Sequence, residues 1–319
     1  MTQDANAILT LCSHICVGEG VHPLEPKEYS DLVTLLKQAG KTPRDLFYFS
    51  SEDFLSILNF DAKQTARFMR LLDRNASLTF ELSQYQNMGI ETITRADANY
   101  PKMLKKKLSN SCPPIFYFAG DLTLLERPTI GYVGSRNIGP EDLDFTIRTV
   151  RKTVSLGYGV VSGGAKGIDT IAGTEVLLND GYSVEYLSDS LLKKLKKSDA
   201  IRNIQQGKLL LMSVAKPDAG FNVGFAMMRN RYIYAQSVGT VIVRSDLQKG
   251  GTWTGANENL KNNWASALCW DHPYPGNQAL IKNGAIPISD DWDGYIPEQQ
   301  QTKKSTEETF EQASLFDIN

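Results

Sequence analysis

The stretch VVSGGAKGIDTIAG, residues 160–173, holds the pattern that decides the fold. Two β-branched residues lead into Ser162, Gly163 and Gly164, and a helical pattern begins at Ile168 after a lysine and a third glycine. A strand that ends in glycines and turns into a helix directs free backbone N–H groups at an anion. The stretch therefore predicts a strand–loop–helix unit with a phosphate site at its turn.

Similar units follow one another between about residues 128 and 292. Strand-like runs at PTIGYVGS, YGVVSGG, YSVEYL, KLLLMSV, GTVIVRS and ASALCW alternate with helical segments. This alternation predicts an α/β fold with a doubly wound, mainly parallel sheet, whose ligand crevice lies at the carboxyl ends of the strands. We expect three glycine loops to meet there, at residues 134–139, 162–169 and 247–260.

The missing motifs narrow the type of ligand. The dinucleotide fingerprint G-x-G-x-x-G does not follow the first strand of this region, and no P-loop is found. Arg136 and Lys166 could add fixed positive charge to the loops, and Arg229–Asn230–Arg231 carries groups suited to phosphate or base edges. We therefore expect a phosphate-binding site and no cofactor.

The rest of the chain divides into a helical module, a core and a tail. Residues 1–95 predict a small helical module, with a capping-box spacing from Ser50 to Asp53 and one apolar helix face formed by Ala66, Met69 and Leu72. It could bind a DNA backbone, but a packing or dimerisation role is favoured. Residues 96–294 are predicted as the core, and the polar residues 295–319 as a disordered tail.

The connector at residues 96–125 carries a lysine run and a short strand. Lys102, Lys105, Lys106 and Lys107 predict a solvated helix face, with phosphate contact as the less favoured alternative. The strand is predicted at 115–118.

Composition excludes several classes of protein. The 319 residues carry a net charge of −2, so any nucleic-acid site must be a local patch. No apolar run or basic leader predicts a membrane span or an export signal, and four cysteines fit a reducing cytoplasm. Cys12 and Cys16 flank His14 in an apolar stretch, which predicts a buried helical turn rather than a metal site.

Several of these stretches occur together in one known family. VGSRNIG, VVSGGAKGIDTIA, F…RNRYIYAQS and GNQALIKNGAIPI stand in the order and near the spacing of the DprA/Smf family, DNA-processing protein A, which residues 90–290 resemble. The resemblance implies an extended Rossmann-like core of the superfamily that includes the LOG phosphoribohydrolases. It also implies a homodimer that binds single-stranded DNA and helps load RecA in DNA recombination and natural transformation. The helical module resembles SAM or helix-hairpin-helix modules.

The resemblance also implies site residues. The pocket positions of the family correspond here to Gly134, Ser135, Arg136, Ser162, Gly163, Lys166, Gly167, Asp169, Asn230 and Arg231. The glycine loops add Gly164, Gly250, Gly251 and Thr252 to the candidate phosphate-binding residues. We expect a DNA-binding protein without covalent chemistry, because the three histidines, His14, His22 and His272, lie outside the glycine loops.

Departures from the family pattern leave an alternative open. The segment VRSDLQKGGTWTGANENL replaces the glutamate–alanine and Ser-Gly-Ser pattern that usually follows the fifth core strand, and the usual C-terminal winged helix is missing. The new loop is similar to the Gly-Gly-x-Gly-Thr loop of LOG-type enzymes. The alternative is therefore a nucleotide-binding sensor or LOG-like enzyme, for example in phage defence, with Glu258 or Asp169 as the acid–base group.

Two further features suggest contacts with partners. Phe225, Tyr232 and Trp253 are candidates for base stacking, although each also suits a core or pocket wall. The tail peptide QASLF resembles the short peptides that dock on the replicative sliding clamp, with Gln312, Leu315 and Phe316 as its anchors.

Overall fold

The computed structural model describes residues 1–297, and a single mixed sheet organises this part of the chain. The order of the strands across the sheet is β1-β2-β6-β5-β4-β3-β7-β8-β9; seven run parallel, β2 is antiparallel to β6, and β1 is antiparallel to β2. The strands are β1 Glu91–Thr94, β2 Ile115–Ala119, β3 Thr129–Val133, β4 Gly159–Ser162, β5 Ser183–Leu187, β6 Leu209–Ser213, β7 Gly239–Ile242, β8 Ser266–Trp270 and β9 Ile286–Ile288. The predicted doubly wound, mainly parallel α/β fold is confirmed.

Helices cover both faces of the sheet. They are α1 Gln3–Cys12, α2 Pro26–Gln38, α3 Ser51–Leu58, α4 Ala62–Asp73, α5 Asn75–Asn87, α6 Lys102–Leu108, α7 Pro140–Ser155, α8 Ile168–Leu178, α9 Leu191–Leu195, α10 Ser198–Gln205, α11 Val223–Gln236, α12 Gly250–Asn262 and α13 Pro275–Lys282. On one face α6, α11 and α12 pack on alternate residues of the strands; on the other, α7 and α8 cover the half of the sheet around β3. No helix within residues 1–297 is long and apolar enough to cross a membrane.

The N-terminal helices share a core with the sheet. Ile8, Leu11 and Phe54 belong to one buried cluster with Tyr117 of β2 and Leu211 of β6. Strand β1, inside the predicted module 1–95, forms an edge of the sheet by pairing with β2. The division into 1–95, 96–294 and 295–319 stays a prediction, and residues 298–319 of the tail lie outside the described residues.

Two helices, α3 and α4, follow the predicted capping box, but α4 buries a different face from the predicted one. Thr65, Phe68 and Leu71 are buried, whereas Ala66 and Met69 are exposed. The predicted apolar face is therefore wrong by one residue. Phe68 decides the rotation, because its ring packs against two other phenylalanine rings, with centroids 4.8 and 5.9 Å away.

The predicted helical turn between the first two cysteines does not form. Helix α1 ends at Cys12, which is buried, and Cys16 is exposed with a φ of 53°. Ser13 terminates the helix because its hydroxyl pairs with the Tyr117 hydroxyl at 2.7 Å and accepts the Ile15 N–H at 3.0 Å. Interpreting both cysteines as one buried turn was therefore wrong, because this buried hydrogen bond competes with the helix.

Lys107 departs from the predicted solvated lysine face. Its side chain is partly buried, and Nζ donates to the carbonyl oxygen of Ser237 at 2.9 Å, just beyond the end of α11. Burial, assisted by the neighbouring Lys106 charge, lowers the pKa of Lys107 from 10.5 to about 8. The ammonium thus loses part of its hydration in the folded state.

This depressed pKa predicts a pH dependence of stability. Above pH 8 the folded chain releases this proton while the unfolded chain retains it, so the free energy of unfolding rises with pH. We expect a rise of about 1–2 kcal/mol between pH 7.5 and 9.5 relative to Lys107→Met, measured by urea denaturation. Lys105→Met, on the exposed side of α6, should retain the rise. If the free energy of unfolding depends on pH identically in the wild type and in Lys107→Met, burial does not lower the pKa of Lys107.

Candidate functional site

A cleft of about 540 Å³ opens at the carboxyl ends of β3 and β7. The chain leaves β3 toward β4 on one side and later returns to β7 on the other side, so the strand order reverses at this point. Connections that diverge in this way leave a crevice between them, where open α/β sheets bind ligands. Residues from all three predicted glycine loops contribute to its wall.

The structure places the predicted site residues in two groups. Eight of them line the cleft: Gly134, Ser135, Arg136, Asp169, Asn230, Gly250, Gly251 and Thr252. Six others lie behind or beside its wall: Ser162, Gly163, Gly164, Lys166, Gly167 and Arg231.

Half of the second group, Ser162, Gly163 and Gly167, shape the wall. The Gly163 N–H donates to Oδ2 of Asp169 at 3.2 Å, and the Ser162 hydroxyl donates to the Asp169 carbonyl at 3.3 Å. Gly167 has a φ of 89°, and a Cβ there would lie 2.3 Å from the carbonyl oxygen of Ser135. Only glycine therefore lets the second loop contact the first so closely.

Gly164 and Lys166 lie away from the cleft. Gly164 packs against Glu185, a buried carboxylate whose Oε2 is 2.6 Å from Nζ of Lys194. Lys166 is exposed on the same loop.

Helix α11 presents a different arginine from the predicted one. Arg229 borders the cleft and donates from Nη1 to Oδ2 of Asp169 at 3.0 Å, with both side chains more than nine-tenths buried. Asn230 donates from Nδ2 to the Gly251 carbonyl at 3.0 Å, which ties α11 to the third loop. Arg231 pairs instead with Glu258 of α12 at 2.8 Å. Positions two apart on a helix face roughly opposite sides, so Arg229 lines the cleft while Arg231 lies in the neighbouring depression.

Some charged residues of the cleft were not among the pocket positions that the sequence predicted. Arg229, Arg244 and Lys249 add positive charge to its wall, and Asp246 adds a carboxylate. Arg229 was named only within the R-N-R motif, and helical periodicity could have separated it from Arg231. Arg244 is the penultimate residue of the predicted strand GTVIVRS, which places it at the carboxyl edge of the sheet.

The exposed aromatic ring in the lining of the cleft is Phe221, which was not among the stacking candidates. It is 54% exposed, and the Arg136 guanidinium lies 5.2 Å from its ring centroid. Tyr232 is buried, Trp253 packs against the core, and Phe225 contacts His14 in a separate cavity. The structure therefore does not bring the three candidate rings to the cleft.

Glu258, the acid–base candidate of the enzyme alternative, lies outside the cleft. It borders a neighbouring depression between α11 and α12, where Arg231 holds its carboxylate. Asp169 does line the cleft, but Arg229 and the Gly163 N–H occupy its Oδ2. These two contacts make the carboxylate an anchor for the second glycine loop.

Comparisons with known proteins agree with this fold. A family model described as DNA recombination-mediator protein A matches residues 91–295. The chain is 28% identical to DNA processing protein DprA of Bacillus subtilis over 213 residues, which are 65% of this chain and 71% of that protein. It is 26% identical to protein Smf of Synechocystis over 241 residues, 66% of this chain and 58% of that longer protein.

A solved structure shows the same fold. The X-ray structure of DprA from Streptococcus pneumoniae matches with a TM-score of 0.61 and 19% identity, covering 83% of this chain and 95% of that one. The family match extends over more than half of the chain and begins at β1. The resemblance stated from the motifs is thereby confirmed, and the chain belongs to the DNA recombination-mediator protein A family.

Proposed function

We propose that this protein binds single-stranded DNA in the cleft between β3 and β7 and acts in DNA processing and recombination without covalent chemistry. The observation that carries the proposal is local charge. Four cationic side chains and two carboxylates line the cleft, in a chain whose net charge is −2: Arg136, Arg229, Arg244 and Lys249 against Asp169 and Asp246. Such a patch attracts phosphates by counterion release.

The shape of the cleft favours a single strand over a duplex. Its volume lies within the range of about 300–1,000 Å³ that is usual for small-ligand pockets, which admits a nucleotide unit rather than a double helix. Phe221 offers an exposed ring for base stacking, a contact worth about 1–3 kcal/mol per base. The glycine loops let the backbone approach a phosphate closely.

The proposal extends to partners that the family suggests. We infer a homodimer that helps load RecA onto the bound strand, in the cytoplasm, during recombination or natural transformation. Membership of the recombination-mediator family supports this. We also infer docking on the sliding clamp through Gln312, Leu315 and Phe316, supported by the QASLF peptide alone, since these residues lie outside the described part of the chain.

The competing function is a nucleotide-binding sensor or LOG-like enzyme, for example in phage defence. The same cleft could hold one nucleotide. The salt bridge between Glu258 and Arg231, away from the cleft, favours binding over acid–base catalysis.

Fluorescence anisotropy with a labelled oligo-dT strand of about 30 nucleotides tests the proposal. We expect tight binding that prefers single over double strand. Removing two cations of the cleft, Arg136→Ala with Lys249→Ala, should weaken binding about 30-fold and reduce the slope of log K against log salt by about 1.4. Both side chains are exposed, so the fold should persist.

The matched control removes two cations elsewhere. Arg127 lies at the amino end of β3, opposite the cleft, and Lys282 ends α13; both are exposed. Arg127→Ala with Lys282→Ala should leave affinity and slope nearly unchanged. Equal effects of the two double variants would refute the cleft as the binding site. If the wild-type protein does not bind the strand at low salt, the nucleotide alternative is favoured. The purified protein should then be checked for a bound nucleotide.

A further inference from the structure

Arg244 occupies the point where the strand order of the sheet reverses. It lies two residues beyond the end of β7 and lines the cleft, and its backbone N–H group lies beside Gly134 of the first glycine loop. Its side chain is 32% exposed. A guanidinium carries five N–H donors in a planar fork, which suits the oxygens of a phosphate.

The side chain is held by two neighbours. Arg244 donates from Nη1 to Oδ2 of Asp142 at 3.1 Å, and its guanidinium lies 4.5 Å from the ring centroid of Tyr274. Asp142 is fully buried and also accepts the Gly139 N–H at 2.8 Å. Burial by itself would lower the pKa of Arg244, but the Asp142 carboxylate and the nearby Asp246 raise it, so the fork stays charged.

The backbone that carries Arg244 is held as firmly. Asn277, fully buried on α13, accepts the Ser245 N–H at 2.9 Å and donates to the Val243 carbonyl at 3.0 Å. Gly276 lies against the Ser245 carbonyl, with no room for a side chain. Residues on both sides of Arg244 are thus fixed, so little conformational entropy remains to be lost on binding.

Asp142 accepts a hydrogen bond from only part of the Arg244 guanidinium. One carboxylate oxygen takes one N–H, and the exposed third of the side chain borders the cleft. Arg136, by contrast, has an exposed side chain whose guanidinium lies over the exposed ring of Phe221. The cleft therefore holds one cation on an exposed side chain and another that is oriented before any ligand arrives.

We propose that Arg244 is a preorganised phosphate contact of the cleft, held by Asp142 and Tyr274 to receive a phosphodiester of the bound strand. This inference rests on the proposed function. Asp246, exposed on the same wall, opposes the anion and sets an upper limit on affinity.

The experiment compares two variants that both lack the buried carboxylate. Arg244→Gln alone would leave Asp142 buried and unpaired and could unfold the chain. Asp142→Asn and the double variant Asp142→Asn/Arg244→Gln differ only in the arginine. With the labelled 30-nucleotide oligo-dT, we expect the double variant to bind about tenfold more weakly than Asp142→Asn, with a salt slope smaller by about 0.7.

Two further variants sharpen the test. Arg127→Gln removes an exposed arginine at the opposite end of β3, whose guanidinium also lies over a tyrosine ring, 3.7 Å from its centroid. This variant should change neither the affinity for the strand nor the salt slope. Asp246→Asn should tighten binding about threefold, because it removes a carboxylate from the same wall.

The outcomes separate the two proposals. Equal affinity and equal slope for Asp142→Asn and the double variant would overturn the role of Arg244 while strand binding stands. If the double variant differs from Asp142→Asn only in its midpoint of thermal unfolding, Arg244 has a structural role and the inference is also overturned. A wild-type chain that fails to bind the strand would reject both proposals together.

Discussion

Replacing Arg229 by methionine is expected to destabilise the fold by about 3–5 kcal/mol and to abolish strand binding. Arg229 and Asp169 form an ion pair whose two side chains are only 6% and 8% exposed. Methionine retains much of the volume but leaves the Asp169 carboxylate buried without its cation. The Gly163 N–H alone cannot offset that desolvation, so the second glycine loop should lose its anchor.

Urea denaturation with anisotropy on the same samples measures both effects. The control is Arg231→Met, two residues further along α11, which breaks a partly exposed pair with Glu258 and should cost less than about 1 kcal/mol. The double variant Arg229→Met/Asp169→Asn should recover a large part of the lost stability, because it removes the buried, unpaired charge of the Asp169 carboxylate. If Arg229→Met behaves like Arg231→Met, the buried pair does not support the site.

Gly163→Ala is expected to cost about 3 kcal/mol or more and to weaken strand binding strongly. A Cβ at this position would lie 1.4 Å from Nη1 and 1.7 Å from Cζ of Arg229. An arginine on the surface would move aside, but this guanidinium is buried and held by Asp169. The added methyl group must therefore break the ion pair or displace the loop, and each costs several kcal/mol.

Gly220→Ala provides the matched control for this substitution. A Cβ at Gly220 meets nothing within 4 Å, and its backbone is not in the left-handed region. Its stability should stay within about 0.5 kcal/mol of wild type. A Gly163→Ala protein with wild-type stability and affinity would show that Arg229 can leave the loop without consequence.

The sheet was predictable because its signals are local. Buried parallel strands are continuous apolar runs bounded by glycine or polar residues, and all six predicted core strands and the strand at 115 are present. Strands β1 and β9 were not predicted. They have four and three residues and form the edges of the sheet, so their sequences carry little periodicity.

The sequence by itself determined the alternation of strands and helices, and with it the meeting of three glycine loops at one edge. Tertiary structure decided which side chains face the cleft. The packing of α11 turns Arg229 inward and Arg231 toward Glu258, and the return of the chain to β7 brings Arg244 against Asp142, 102 residues earlier. Local patterns specify the period of an element, but the contacts of distant residues set its rotation, because burial is shared among all the elements that pack together.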